Sequence, residues 1–448
     1  MKSSRSFYKP SKQSTVSSSE AFTVTIDRLS HDGRGLARHN GKTLFVSGAL
    51  PGEEVKARYL KQRSKFDEAQ CLEVLQPSVL RREPQCRHFY QCGGCELQYL
   101  DAQAQIEHKQ QQALDQLQRI GSVVPETILP PLIGEPWHYR RRARLSVYCP
   151  KKTSEPTLGY RRRQSKQLVA VRECPVLEHK AEQLLGQLSE WLNSASKPQA
   201  VSHIELASGD SDAALILRHT LKLADDDLAA LEELAVNNQY NLFLQPEGPE
   251  SLQSVGHEQQ RLHYQLPEFD LNLAYHPNDF TQVNSLINQQ MVHQAVALLE
   301  VTKDDRILDL FCGLGNFTLP LASLAGEVVG IEGSQDMVTR GAENARSNGI
   351  DNVEFHRMDL TRDFRRQPWF QGGFSKILLD PPRAGALEVV SHLAEHQAQM
   401  ILYISCDPAT FARDAKELVT QGYRLSHWGV MDMFPQTTHV ESIALFQR

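Results

Sequence analysis

Cys406 closes the stretch Ile401-Leu402-Tyr403-Ile404-Ser405-Cys406-Asp407-Pro408. The apolar run reads as a buried strand and the residues after it as the turn that ends it. A thiol at the carboxyl end of a strand faces the crevice where open α/β sheets bind ligands, which makes it a candidate nucleophile. Taken alone, the same stretch better describes a small core residue, and only the rest of the chain reverses that preference. Three carboxylates occupy comparable places. Glu332 ends the apolar run Val328–Ile331, about twenty residues after the glycine turn Cys312-Gly313-Leu314-Gly315-Asn316, a spacing suited to a ribose diol. Asp359, in Met358-Asp359-Leu360, follows a short strand where an adenine could be met, and Asp380 follows the run Ile377–Leu379. A helix cap would account for Asp359 and a turn for Asp380, but four polar signals at four successive strand ends share no such explanation. The glycine turn lacks the full GxGxxG, and no phosphate loop of the Gly-x4-Gly-Lys-Ser/Thr kind accompanies it. A nucleoside without phosphates fits this pattern, and S-adenosylmethionine is the usual one.

A second set of reactive residues is sulfur alone. The chain has eight cysteines, at 71, 86, 92, 95, 149, 174, 312 and 406. Cys86, Cys92 and Cys95 cluster in CRHFYQCGGC, where Gly93 and Gly94 let the backbone wrap tightly, and Cys174 in Glu173-Cys174-Pro175 is the fourth candidate. Four soft thiolates suit either a [4Fe-4S] cluster or tetrahedral zinc. Cys71 and Cys149 read as ordinary strand residues.

These residues need elements to hold them, and 448 residues provide for two to four domains. Residues 1–20 read as a flexible basic tail. From Phe22, short alternating runs broken by Asp32-Gly33, Asn40-Gly41 and Pro51-Gly52 predict a small OB-like β-barrel over 21–80, with Lys56, Arg58, Lys61, Arg63 and Lys65 near one edge. A helix is expected from Leu97 to Ile120, closed by Gly121. Residues 81–274 form a mixed α/β central domain, with helices near 177–193 and 225–237 and strands at 201–207, 213–219 and 240–245. Residues 275–448 form a doubly wound, Rossmann-like α/β domain that opens on a helix at 284–300.

Charge is distributed unevenly. Residues 1–82 carry a balance of +7 and residues 134–172 one of +9, within a chain of net -6. The second segment holds two arginine triplets interleaved with Trp137, Tyr139, Tyr148 and Tyr160, a combination of phosphate contacts and stacking surfaces that suits RNA. There is no run of eighteen apolar residues, so no membrane span is expected, and the polar start predicts a cytoplasmic protein.

The motifs DLFCGLGNFT, LLDPPRAG, YISCDP and HVES, in this order, resemble the S-adenosylmethionine-dependent RNA (uracil-5-)-methyltransferases, over nearly the whole chain. The barrel resembles a TRAM domain. Together with the four-cysteine site it points to the branch that methylates a uridine of 23S ribosomal RNA, with a dual-site relative and the transfer-RNA enzymes as alternatives. By matching motifs, the resemblance places Gln282 (in DFTQVN), Phe311, Asn316, Glu332, Asp359 and Asp380 around the cofactor. It assigns a [4Fe-4S] cluster to Cys86, Cys92, Cys95 and Cys174, Cys406 as nucleophile and Glu441 as base.

The chemistry asks for such residues. C5 of uracil is a poor nucleophile until a thiolate adds at C6, and a base must later remove the C5 proton so that the thiolate leaves. Cys312 is a rival nucleophile, but its loop faces the cofactor. The base must be single-stranded or flipped to be reached from both faces. A radical enzyme is disfavoured by the absence of CxxxCxxC, and a DNA cytosine methyltransferase by the late position of the cysteine. A non-catalytic RNA-binding protein would not need Cys406, Glu441 and Asp380 intact. With neither repeat nor coiled coil, a monomer is expected; the partner is 23S ribosomal RNA, not DNA or a membrane.

Overall fold

The computed structural model describes residues 20–150, 155–256 and 261–448; the expected basic tail, save Glu20, lies outside them. The chain divides into two compact units.

The smaller unit comprises residues up to 84 together with 96–104. Six strands form one sheet, in the order Phe22–Thr25, Glu54–Gln62, Phe66–Gln76, Lys42–Ser47, Gly35–His39, Arg28–Leu29. Alternation sorts the residues as the period-two pattern requires. Val24, Leu44, Val46, Val55, Ala57 and Ala69 fill the core, while Lys56, Arg58, Lys61, Arg63 and Lys65 all stay exposed. Glu53 is buried and held by Arg81 at 2.6 Å and by the Leu50 and Ser78 amides.

The larger unit holds residues 85–95 and 105–448. Its first layer is a seven-stranded sheet in which Arg142–Tyr148, Val201–Ser208 and Ala213–His219 are central, with Ala213–His219 parallel to Asn241–Gln245. Helices His179–Ser194 and Asp225–Asn237 cover one face with leucines. Hairpin Leu262–Leu266/Leu271–Tyr275 follows.

The second sheet carries the candidate site. Its strands are β1 (Arg306–Leu310), β2 (Glu327–Glu332), β3 (Val353–Arg357), β4 (Lys376–Leu379), β5 (Met400–Ser405), β6 (Arg424–Met431) and β7 (Glu441–Gln447). They lie in the order β3-β2-β1-β4-β5-β7-β6, with Thr127–Ile128 added beside β6. The first five are parallel and β7 is antiparallel. Apolar side chains fill both faces of β1, β4 and β5, the pattern of strands covered by helices on two sides.

The predicted helix at 97–120 is shorter than expected. It spans Ala102–Gln116 and ends in a π turn over Leu117–Gly121. Asp101 begins it, because its carboxylate accepts the Gln103 and Ala104 amides, as an N-cap does. Gly121 lies so close to Ala412 O that a Cβ there would stand 2.6 Å away, which explains a glycine at this crossing.

Candidate active site

The carboxyl ends of β1, β4 and β5 are brought level by their register: Leu310 pairs with Leu379, and Leu379 with Tyr403. Phe311, Asp380 and Cys406 follow those ends directly. Because β7 runs antiparallel to β5, with Ser405 opposite Ser442, Glu441 at the start of β7 arrives beside Cys406 at the end of β5. A cysteine and a glutamate 35 positions apart in sequence are thus neighbours through strand direction alone.

They line a cavity of about 1130 Å³ together with Gln282, Phe311, Asn316, Glu332 and Asp380. Phe311 adopts the left-handed φ of +64°, and Gly315, at +103°, leaves room for Leu319 3.0 Å from where a Cβ would be. The turn is tied to β2: Glu332 accepts the Gly313 amide at 3.1 Å through one oxygen and the Ser334 amide at 2.8 Å through the other. Its remaining lone pairs are available to a diol. Asn316 is fixed by Tyr264, whose hydroxyl donates to its Oδ1 at 3.0 Å, and by a reciprocal amide pair with Asn288 at 2.9 and 3.0 Å.

Asp359 is not among the residues lining the cavity. It is exposed just past β3, where it accepts the Thr361 amide and hydroxyl and pairs with Arg362 at 3.1 Å, the geometry of a local turn former. Cys312 lines the cavity but is buried, and burial pushes its thiol well above the ordinary range.

Electrostatics distinguish the reactive groups. Burial, then the carboxyls of Glu441 and Asp380, push the Cys406 thiol up to about 11, while Arg383 opposes them. Burial and Asp380 raise Glu441 well above a normal carboxylate, again against Arg383. Burial raises Asp380 to about 7. Two carboxyls pushed upward at the same site hold their protons more firmly than ordinary carboxylates do, the usual condition of groups that exchange protons in catalysis. Asp407 caps helix Pro408–Thr420 by accepting the Ala409 and Thr410 amides at 3.0 Å, which sets Cys406 two residues ahead of that helix.

Arg383 was not singled out from sequence for this role, although it stands inside the recognised LLDPPRAG motif. Arg383 Nη2 lies 3.3 Å from His439 Nδ1, and both line the cavity. The signal was a lone cation directly after a strand-end Asp-Pro-Pro.

The four cysteines converge elsewhere in the same unit. Burial pushes the Cys174 thiol up to about 12, followed by the charges of Cys95, Cys86 and Cys92. The loop that carries three of them is strapped down by Arg163, which donates to the carbonyls of Phe89 at 3.2 Å, of Cys92 at 3.0 Å and of Cys95. Gly93 fits closely there: a Cβ would stand 3.1 Å from Arg161 O, so the strand would have to give way by a few tenths of an ångström to admit a side chain. Cys174 thus lies within electrostatic reach of the other three thiols. His138, His179 and Glu182 also bring donor atoms within 4.8 Å of one another, but the two imidazoles stack at 3.7 Å, which sends their lone pairs side by side rather than to one point.

The sheet order and the cavity at its carboxyl edge define an S-adenosylmethionine-dependent methyltransferase fold, here joined to a TRAM domain. The model of the tRNA (Uracil-5-)-methyltransferase family matches residues 101–448 and that of the TRAM domain residues 19–72. The chain belongs to the tRNA (Uracil-5-)-methyltransferase family. It is 48% identical to the 23S rRNA (uracil(1939)-C(5))-methyltransferase RlmD of Alkalilimnicola ehrlichii, over 96% of this chain and 97% of that protein. The protein of the same name from Pseudomonas syringae pv. tomato is 47% identical over 95% of this chain and 93% of its own length. In fold, the chain is similar to the Pyrococcus abyssi tRNA (uracil-54, C5)-methyltransferase in complex with S-adenosyl-L-homocysteine. The TM-score is 0.72 at 23% identity, covering 95% of this chain and 99% of that one.

Proposed function

We propose that this chain transfers a methyl group from S-adenosylmethionine to C5 of a uridine in 23S ribosomal RNA, giving 5-methyluridine. The observation that carries this reading is the meeting of Cys406 and Glu441 on one cavity wall, enforced by the antiparallel β5/β7 register. Its near-full-length relatives, the RlmD proteins, support the RNA and the position.

Cys406 Sγ adds to C6 of the flipped uracil, and the electron pair displaced from the C5–C6 bond makes C5 nucleophilic. S-adenosylmethionine, when bound, supplies the electrophilic methyl group. Gln282, Phe311, Asn316 and Glu332, which line the cavity, would hold its nucleoside, and Asp380 would face the reacting end; Asp359 would reach it only after giving up Thr361 and Arg362. Glu441 then removes the C5 proton, the C6–S bond breaks, and the thiolate departs with its electron pair. A base raised by burial is a better match for a carbon acid than an ordinary carboxylate. Arg383 offsets the negative charge that Cys406 carries as a thiolate before attack and regains on departure.

Cys86, Cys92, Cys95 and Cys174 would hold a [4Fe-4S] cluster that shapes the RNA-binding face. No chemical step needs its electrons. The barrel's exposed lysines and arginines and the arginines of 140–172 grip the RNA backbone. Such a substrate places the enzyme in the cytoplasm, and one chain carries every group named, as a monomer would.

Labelled S-adenosylmethionine with unmodified 23S fragments and with transfer RNA, followed by nucleoside analysis, tests the reading. 5-Methyluridine at one 23S position is expected; label at two positions would move the assignment to a dual-site enzyme, and label in transfer RNA alone would overturn the substrate.

A further inference from the structure

The connection between β6 and β7 spans residues 432–440 and begins and ends at the paired residues Met431 and Glu441. It brings Phe434 and His439 to the cavity wall and leads directly into Glu441. A connection this long has many conformations open to it, yet this one is fastened from behind at successive residues. Lys109, on helix Ala102–Gln116 and only 1% exposed, donates to Asp432 Oδ1 at 2.7 Å and to Phe434 O at 3.0 Å. Tyr139 donates its hydroxyl to Pro435 O at 3.0 Å. Gln105 accepts the Gln436 amide at 2.9 Å and donates to its side chain at 3.0 Å, holding a residue whose φ is +69°.

The fasteners come from segments more than 290 residues upstream. A lysine and an aspartate buried together are often replaceable by apolar residues without loss of stability, so such a pair is better explained by the single conformation it selects. The Lys109 charge also reaches His439, whose pKa is lowered by burial, then by Arg383 and Lys109.

We propose that Lys109 and Tyr139 are positioning residues for proton abstraction, holding the 432–440 loop so that Glu441 meets the C5 proton of the methylated adduct. This rests on the reading of Cys406 and Glu441 given above. Attack and methyl transfer precede that step, so a displaced Glu441 leaves the enzyme filling with covalent, methylated RNA adduct. A lysine or tyrosine that merely stabilised the fold would lower all steps alike.

The test uses the full-length protein with its metal centre and a 23S fragment. Lys109→Met and Tyr139→Phe are assayed for kcat, for KM of S-adenosylmethionine and for the fraction of enzyme in a denaturation-stable methylated adduct. The expected result is a fall in kcat of about tenfold or more, the scale of an ångström-sized misplacement, with KM little changed and adduct accumulating. Tyr139→Phe removes one oxygen only and serves where Lys109→Met fails to fold. Glu441→Gln is the control. Adduct in Glu441→Gln but none in a folded Lys109→Met or Tyr139→Phe overturns the positioning role alone. Failure of Glu441→Gln to trap adduct overturns the assignment of the base, and the positioning role with it.

Discussion

In the ligand-free protein the Cys406 thiol should be slow to alkylate. Its pKa rises from an ordinary 9.0 to about 11, chiefly by burial and then by the Glu441 and Asp380 carboxyls, despite the opposing charge of Arg383. At neutral pH that leaves about one hundredth of the thiolate of an ordinary cysteine, since each pH unit is a factor of about ten. Iodoacetamide labelling, read by mass spectrometry of the peptide containing Cys406, measures this directly. Between pH 7 and 9.5 the rate should climb about tenfold per pH unit with no plateau, because only the thiolate reacts. S-adenosylmethionine brings a sulfonium charge into the cavity, whereas S-adenosylhomocysteine has nearly the same shape without it. An opposite charge nearby lowers a pKa by about 1–3 units, so labelling with the first ligand should exceed labelling with the second by about tenfold or more. A plateau near pH 8.5 without ligand, or equal rates with the two ligands, would refute the electrostatic reasoning.

Cys406→Ala should lose methyl transfer while retaining S-adenosylmethionine affinity by calorimetry, since the residues proposed to hold the cofactor are others. Cys174→Ser should release iron and bleach the visible absorption of the purified protein; elemental analysis showing zinc instead would replace the cluster with a single ion. Glu53→Ala should destabilise the smaller unit by about 2 kcal/mol, the cost of leaving the half-buried Arg81 and the Leu50 and Ser78 amides without their acceptor, measured by urea denaturation. Glu53 titrates below its ordinary 4.5: burial alone would raise it, but the bonds from Arg81, Leu50 and Ser78 outweigh burial. Its contribution should therefore be complete above that value and vanish as pH falls through the lowered folded pKa.

Much of this architecture was legible in the residues because local pattern and tertiary structure agree. The runs before Phe311, Asp380 and Cys406 became strands of the second sheet, and the segments expected at 201–207, 213–219 and 225–237 appear as Val201–Ser208, Ala213–His219 and Asp225–Asn237. Two signals have a local competitor. Asp359 stands where a cofactor residue is expected, but Thr361 and Arg362 satisfy it from two and three residues away. Leu97 has the apolar character of a helix start, but Asp101 provides the cap. What sequence could not reveal was long-range pairing. Lys109 with Asp432, Tyr139 with Pro435 and Asn288 with Asn316 each join segments with no pattern in common, so only the folded chain brings them to notice.

The most direct test of the account uses a 23S fragment carrying 5-fluorouridine at the target. Fluorine at C5 cannot be removed as a proton, so the reaction stops after methylation with the enzyme still attached through C6. Proteolysis and mass spectrometry should find the methylated nucleotide on the peptide containing Cys406. Attachment at Cys312, or methylated RNA free of protein, would contradict it.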